Sequence, residues 1–201
     1  MPTKIERPRQ LIVEGNDEAR FFGALLRHLN VADLQIQNAE GNRNFGAFLK
    51  AVADMPDFDR VAWLGVVRDA EADPSAALAS ILDALSRAGL PRPARLDGPR
   101  DAVPQTDILI LPDNVSPGML ETLCLRSVEA DPALECVEGL FDCLRDRGLP
   151  VPRHLEKARL QAFLATRSNP ARLLGEASDQ GVWPWQSNAL SIVRAFVLAP
   201  E

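Results

Sequence analysis

The sequence predicts an α/β protein, with a mainly parallel central sheet flanked by helices and a helical C-terminal part. Three observations carry that reading. Leu11-Ile12-Val13 runs straight into Glu14-Gly15, and then Phe21, Phe22, Leu25, Leu26 and Leu29 recur at helical spacing. Two further apolar runs, Val61 to Val67 and Ile108 to Leu111, read as strands covered on both faces. Strand-like and helix-like stretches alternate through the first 128 residues, after which only helical patterns remain.

Taken in order, the first strand ends at Glu14, Gly15 makes a tight turn, and a helix starts near Asp17. Asp33 to Gln37 is a short second strand in which Leu34 and Ile36 alternate with polar residues. Gly41-Asn42-Arg43-Asn44 is a turn, and Phe45, Phe48, Leu49 and Val52 mark a helix that ends before Pro56. The strand at Val61–Val67 leads into Arg68-Asp69-Ala70-Glu71-Ala72-Asp73-Pro74. Asp73 is suited to cap a helix whose first position is Pro74 and whose end is Gly89. Pro91 to Pro104 is a loop or an edge hairpin. The strand at Asp107–Leu111 is broken by Pro112-Asp113-Asn114, and Ser116-Pro117-Gly118 is expected to open the next helix. Helices are expected over 132–147, 153–165, 170–177 and 186–198. The division is a core of residues 1–130 and a helical extension of 131–201 packed on it as part of the same domain.

Composition narrows the function classes. Of 201 residues, 46% are hydrophobic and 25% charged, as in an ordinary globular chain. No apolar run reaches the length a membrane span needs, and the first residues lack the apolar core of a signal peptide. A cytoplasmic location without membrane contact is the expectation. The formal net charge of -6 argues against a dedicated nucleic-acid-binding module, whose footprint is a basic face. It does not argue against a nuclease, because carboxylates that hold metal ions add negative charge until the ions arrive. Cys124, Cys136 and Cys143 form no Cys-x-x-Cys pair, so neither a disulfide framework nor a zinc site is expected. Cys136 and Cys143, seven apart, are expected to share a buried helical face. His28 and His154 belong to no triad or metal motif.

The chemistry lies in the acids. Glu14 follows the first strand; Asp69, Glu71 and Asp73 follow the third; Asp113 and then Glu121 follow the last. In a parallel sheet those strand ends share one edge, where ligands of open α/β sheets bind. Carboxylates gathered there repel unless some are protonated or a divalent cation sits among them. Oxygen ligands of this kind suit Mg²⁺ or Mn²⁺. Each acid also has a simpler use. Asp17 fits a helix cap as well as a metal ligand, Asp73 fits a cap before it fits a ligand, and Glu121 fits an exposed helical position. Trp183-Pro184-Trp185 fits packing between tail and core better than a platform for stacking bases. Arg92, Arg95 and Arg100 fit a solvated loop better than phosphate contacts.

Val13-Glu14-Gly15 with Asp17, and then Asp69-x-Glu71-x-Asp73 after a second apolar strand, resemble the Toprim fold of topoisomerases, bacterial primases and small nucleases. Pro117-Gly118-Met119-Leu120-Glu121 resembles the Pro-Gly-x-Leu-Glu segment of stand-alone Toprim-related and OLD-like nucleases. Lys157 at a helix start and Gly175…Gly181-Val182-Trp183 are similar to the tail of that branch. The resemblance implies Mg²⁺-dependent phosphoryl transfer, most naturally cleavage of a nucleic-acid phosphodiester in DNA or RNA. It assigns general acid/base work or metal binding to Glu14, metal binding to Asp69 and Glu71, and support of a second ion to Glu121 and Asp73. Lys157 matches a lysine that neutralises transition-state charge. Aspartate is usual where Glu71 stands, so Glu71 binds from a shifted position or Asp73 takes its place. No Gly-x-x-x-x-Gly-Lys-Ser/Thr loop is present, so any ATPase would be a separate partner. The alternative class is a non-catalytic binding or regulatory subunit. A dinucleotide-binding reading has less support, since Glu14-Gly15-Asn16-Asp17 lacks the further glycines.

Overall fold

A computed structural model describes residues 1–41, 45–96, 98–99 and 101–198. Its centre is a four-stranded sheet of β1 (Arg9–Val13), β2 (Leu34–Asn38), β3 (Trp63–Asp69) and β4 (Gln105–Leu111), in the order β2-β1-β3-β4. Each adjacent pair is parallel. The helices are α1 (Asn16–Leu29), α2 (Phe45–Ala53), α3 (Pro74–Ala88), α4 (Leu120–Ser127), α5 (Pro132–Asp146), α6 (Leu155–Ala165), α7 (Leu174–Asp179) and α8 (Ser191–Val197).

The strand residues alternate between two apolar cores, as the pleat requires. Ile12, Leu64, Val66, Ile108 and Ile110 face α2 and α3. Leu11, Val13, Val67, Leu109 and Leu111 face α1 and the C-terminal helices, with Phe163, Trp183 and Val193 in the same cluster. Both faces are covered, which is why the inner strands read as near-continuous apolar runs. The tail therefore completes one of the two cores. Trp183 donates its Nε1–H to Ser178 Oγ at 2.8 Å inside that core, and Trp185 packs on Phe21 with ring centroids 5.1 Å apart. Both tryptophans are buried.

Local chemistry sets several boundaries. Asp73 caps α3 as its sequence position implies, accepting from the N–H groups of Ser75 and Ala76 at 2.9 and 3.1 Å. Gly65 is required by its neighbour, since a Cβ there would stand 2.1 Å from the Trp63 ring. The outer edge of β4 is plugged from within the chain. Arg95 donates to the Ile108 carbonyl. Asn114 accepts from the Ile110 N–H at 2.9 Å through its side chain and donates its own N–H to the Ile110 carbonyl at 2.7 Å. Arg95 thus has a structural use, and edge-to-edge pairing is blocked.

Three expectations need correction. Ser116-Pro117-Gly118 does not open α4, which begins at Leu120. Gly118 instead forms an antiparallel bridge with Glu71, with N–H···O distances of 2.8 Å in both directions, and this tertiary pairing overrides the local capping signal. The stretch from Pro91 to Pro104 is, among its described residues, a loop with a short 3₁₀ turn at Ala94–Leu96, the first of the two alternatives expected and no correction. Cys136 and Cys143 are exposed, because the buried face of α5 runs through Leu134, Val137 and Phe141. The tail helices start later than their sequence signals, at Leu155, Leu174 and Ser191. Residues 42–44 of the expected turn, and Arg100, lie outside the described residues.

Candidate acid site at the carboxyl edge of the sheet

The carboxyl ends of β1 and β3 bring Glu14 and Asp69 to one edge. Glu14 directly follows Val13, the last residue of β1, and Asp69 is the last residue of β3. The turn after β1 aims the first turn of α1, with Asp17 and Glu18, at the same place. The bridge between Glu71 and Gly118 holds the β4–α4 connection against the end of β3. That delivers the first turn of α4, with Glu121, and α6 adds Lys157 at its N-terminal end.

Asp69 sits between two hollows. One, of about 350 Å³, is lined by Asp17, Glu18, Asp69, Glu121, Lys157 and Leu174, among others. The other, of about 300 Å³, is lined by Glu14, Arg68, Asp69, Glu71 and Asp73 with adjoining alanines. Asp69 Oδ1 accepts the Leu120 N–H at 2.9 Å, so the end of one strand caps a helix 51 residues later. A carboxylate at a helix N-terminus is electrostatically favoured. Here that benefit is outweighed. Burial first, then the charges of Glu18 and Glu121 and more weakly Glu14, push the Asp69 carboxyl up to about 8. Asp69 therefore keeps its proton at neutral pH in the ion-free protein.

The neighbouring acids feel the same field. Burial raises Glu14, and Glu71 raises it further, against the lowering effect of Arg68 and Lys157. The Arg68 guanidinium stands 3.9 Å from the Glu14 carboxylate. Glu18 is raised by burial and by Glu14, Glu121 and Asp17. Burial works against the Lys157 ammonium, but Glu121, Asp69 and Glu71 outweigh it and hold its pKa above the ordinary lysine value. Lys157 Nζ lies 3.6 Å from Glu121. Beneath the cleft, the Cys124 thiol is pushed up by complete burial and by Glu121, Asp17 and Asp69, which leaves it an inert core group.

Not every acid named from the sequence is equally available. Asp17 lines the cleft, but its Oδ1 accepts the Gly175 N–H at 2.8 Å and so ties α1 to the start of α7. Asp73 reaches the smaller hollow with an oxygen already engaged as the α3 cap. Asp113 belongs to another arrangement. It is paired with Arg126 at 2.7 Å and accepts from the N–H groups of Ser116 and Val115, which together hold it well below the usual carboxylate range despite some burial. Glu71 is exposed and adopts φ 53°, a left-handed conformation that costs a non-glycine residue energy and that clusters at functional sites. Among the described residues, no group of three His, Cys, Asp or Glu side chains is poised to hold one ion as they stand.

Sequence reasoning missed Glu18 and Arg68. The signal for Glu18 was spacing: it follows Glu14 by four residues across a glycine turn, which puts it in the first turn of a helix leaving the same strand end. Arg68 precedes Asp69 in a strand, so it reads as an ordinary edge residue until β1 and β3 are known to be neighbours.

Fold and site together define the class: an α/β protein whose parallel sheet gathers half-buried carboxylates and one lysine at its carboxyl edge. The chain belongs to a family described as a protein of unknown function, DUF3226, whose model matches residues 8–198. No curated protein and no solved structure matches it.

Proposed function

We propose that this chain is a stand-alone Toprim-type protein that uses Mg²⁺ or Mn²⁺ for phosphoryl transfer, with a nucleic-acid phosphodiester as substrate. The observation that carries the reading is Asp69. It is a strand-end carboxyl crowded by Glu14, Glu18 and Glu121, and raised to about 8 by burial and by those charges. Mutual repulsion of this kind is relieved by a divalent cation, and the donors are the hard oxygens that Mg²⁺ prefers. By that chemistry the residues fit the ion.

Glu14, Glu18, Asp69 and Glu121 hold the metal, and Glu71 supports it from the exposed side of the same edge. Asp17 and Asp73 serve mainly as tether and cap. When bound, the ion stabilises charge on a phosphoryl oxygen. The chain's own groups do the rest. Glu14 serves as a ligand or takes up the proton of an attacking water. Lys157, at the mouth of the 350 Å³ cleft, neutralises charge that develops on the phosphate. Arg68 keeps Glu14 oriented.

The test is Mg²⁺-dependent nicking of plasmid DNA and cleavage of RNA, with Glu14→Gln and Asp69→Asn inactive. Activity that survives both substitutions removes this site from the chemistry. A second reading has an observation of its own. Arg68 beside Glu14, Lys157 beside Glu121 and a protonated Asp69 already balance much of the charge without an ion. A non-catalytic binding or regulatory subunit would have that balance. It would also show neither cleavage nor stabilisation by Mg²⁺.

A further inference from the structure

The largest hollow described, about 570 Å³, is a groove between α4 and the first turns of α5 and α6. Met119, Leu125 and Leu134 give it an apolar surface. Its charge is acidic. Arg126 is paired with Asp113, and Arg159 with Glu138 and Glu156, so both arginines of the lining are already neutralised. Glu71 and Glu129 are exposed in the lining, and neither has an ion-pair partner among the described residues. The occupant that complements this groove is apolar and cationic. The chain itself carries such a segment. Arg147-Gly148-Leu149-Pro150-Val151-Pro152-Arg153 connects α5 to α6, holds two arginines and no acid, and is exposed throughout, so it is not seated in its own groove. Leu149 and Val151 are 49% and 39% exposed. Neither arginine has an ion-pair partner among the described residues. Leu149 and Val151 each precede a proline, which restricts them to extended backbone. A segment stiffened in this way loses little conformational entropy on docking.

We infer that two copies of this chain pair with each other, the 147–153 segment of each lying in the 570 Å³ groove of the other. Leu149 and Val151 cover the apolar surface, and Arg147 and Arg153 answer the unpaired glutamates. Groove and segment stand at opposite ends of α5, roughly 20 Å apart along the helix. A two-fold axis between them makes the same contact twice and leaves neither half unmatched. Glu71 lines both the groove and the 300 Å³ hollow, so the partner's segment reaches the rim of the acid site. The pairing does not depend on the chemistry performed there.

The test is sedimentation of the full-length protein over a range of concentrations. Wild type is expected to pass from the mass of one chain to that of two. Three variants are each expected to weaken pairing by about tenfold: Leu149→Ser with Val151→Ser, Arg147→Glu with Arg153→Glu, and Glu129→Arg. All of these positions are exposed, so the variants are expected to fold with Tm unchanged. Leu198→Ser, at a comparably exposed leucine on the tail, should leave pairing as it is. The decisive sample is a mixture. Arg147→Glu with Arg153→Glu sets acid against acid in its own dimer, and Glu129→Arg sets base against base. One chain of each restores opposite charges at both contacts, so the mixed dimer should form when neither variant pairs alone. One chain's mass at every concentration, a dimer indifferent to the variants, or a mixture no better than its components overturns the inference. A monomer whose residues 122–134 are protected from hydrogen exchange by an unrelated arginine-rich peptide assigns the groove to another polypeptide and overturns it too.

Discussion

Asp69 accepts the backbone N–H of Leu120 at 2.9 Å while Glu18 and Glu121 crowd its carboxyl. The same oxygen that organises α4 is thus a group whose ionisation the protein resists. The folded-state pKa of about 8 lies above the ordinary 3.8, so between those values the folded chain binds the extra proton. Stability accordingly falls as pH rises through that window, and the loss is complete above about 8. Asp69→Asn keeps the acceptor for Leu120 and removes the titration. It is expected to abolish cleavage. At pH above 8 it should raise stability by about 1 kcal/mol, roughly 2–4 °C in Tm for a chain of this size. Thermal melts of the two proteins at acidic and alkaline pH check the sign.

Divalent ions are expected to compete with that proton. Mg²⁺ at about a hundred times its Kd stabilises the folded state by about 2.7 kcal/mol. The apparent affinity should rise with pH up to about 8, where Asp69 no longer has a proton to release. Melts across a Mg²⁺ and pH grid measure both. A Tm indifferent to Mg²⁺ at every pH sinks the metal reading and favours the binding-subunit alternative.

Asp17 and Glu18 are adjacent, yet their expected behaviour is opposite. Asp17→Asn retains an acceptor for Gly175 and should alter neither stability nor the Mg²⁺ response, whereas Asp17→Ala releases α7 and costs about 1 kcal/mol. Glu18→Gln should fold well, even gaining stability as a raised carboxylate is neutralised, and should lose the Mg²⁺ response. Calorimetric titration of the three variants separates tether from ligand.

Lys157 is half exposed and contributes little packing. Lys157→Met is expected to lower the cleavage rate by about 10²–10³, the range for loss of one charge-stabilising donor, with Tm nearly unchanged. Lys157→Arg should recover part of the rate. Single-turnover kinetics at saturating Mg²⁺ would reveal a lesser role if the methionine variant stayed close to wild type.

A thiol reagent offers a check on the fold itself. Cys136 and Cys143 are exposed and Cys124 is buried, so two of the three thiols should react in the native protein and the third only after unfolding.

The sheet and the strand-end acids were legible because they depend on local pattern. An apolar run stopping at Glu14 or Asp69 marks a buried strand end whatever surrounds it, and Asp73 before Pro74 marks a cap. What escaped depends on partners distant in sequence. Serine and proline at 116–117 promise a helix start, and only the Glu71–Gly118 bridge moves it to Leu120. A seven-residue spacing places Cys136 and Cys143 on one face of α5 without saying which face meets the core. Asp17 and Glu18 look interchangeable until Gly175, 158 residues away from Asp17, claims one of them. Asp113 looks like another strand-end acid until Arg126 takes it.

The contact between Asp17 and Gly175 has a consequence for how the protein is made. The ribosome delivers the strand-end acids before the wall that faces them. Until α6 and α7 emerge, the acids of β1, β3 and α4 have neither Lys157 nor the Leu174 wall beside them. A nascent chain at that stage would carry crowded carboxylates but no finished pocket, so any activity would wait for the segment around Leu174.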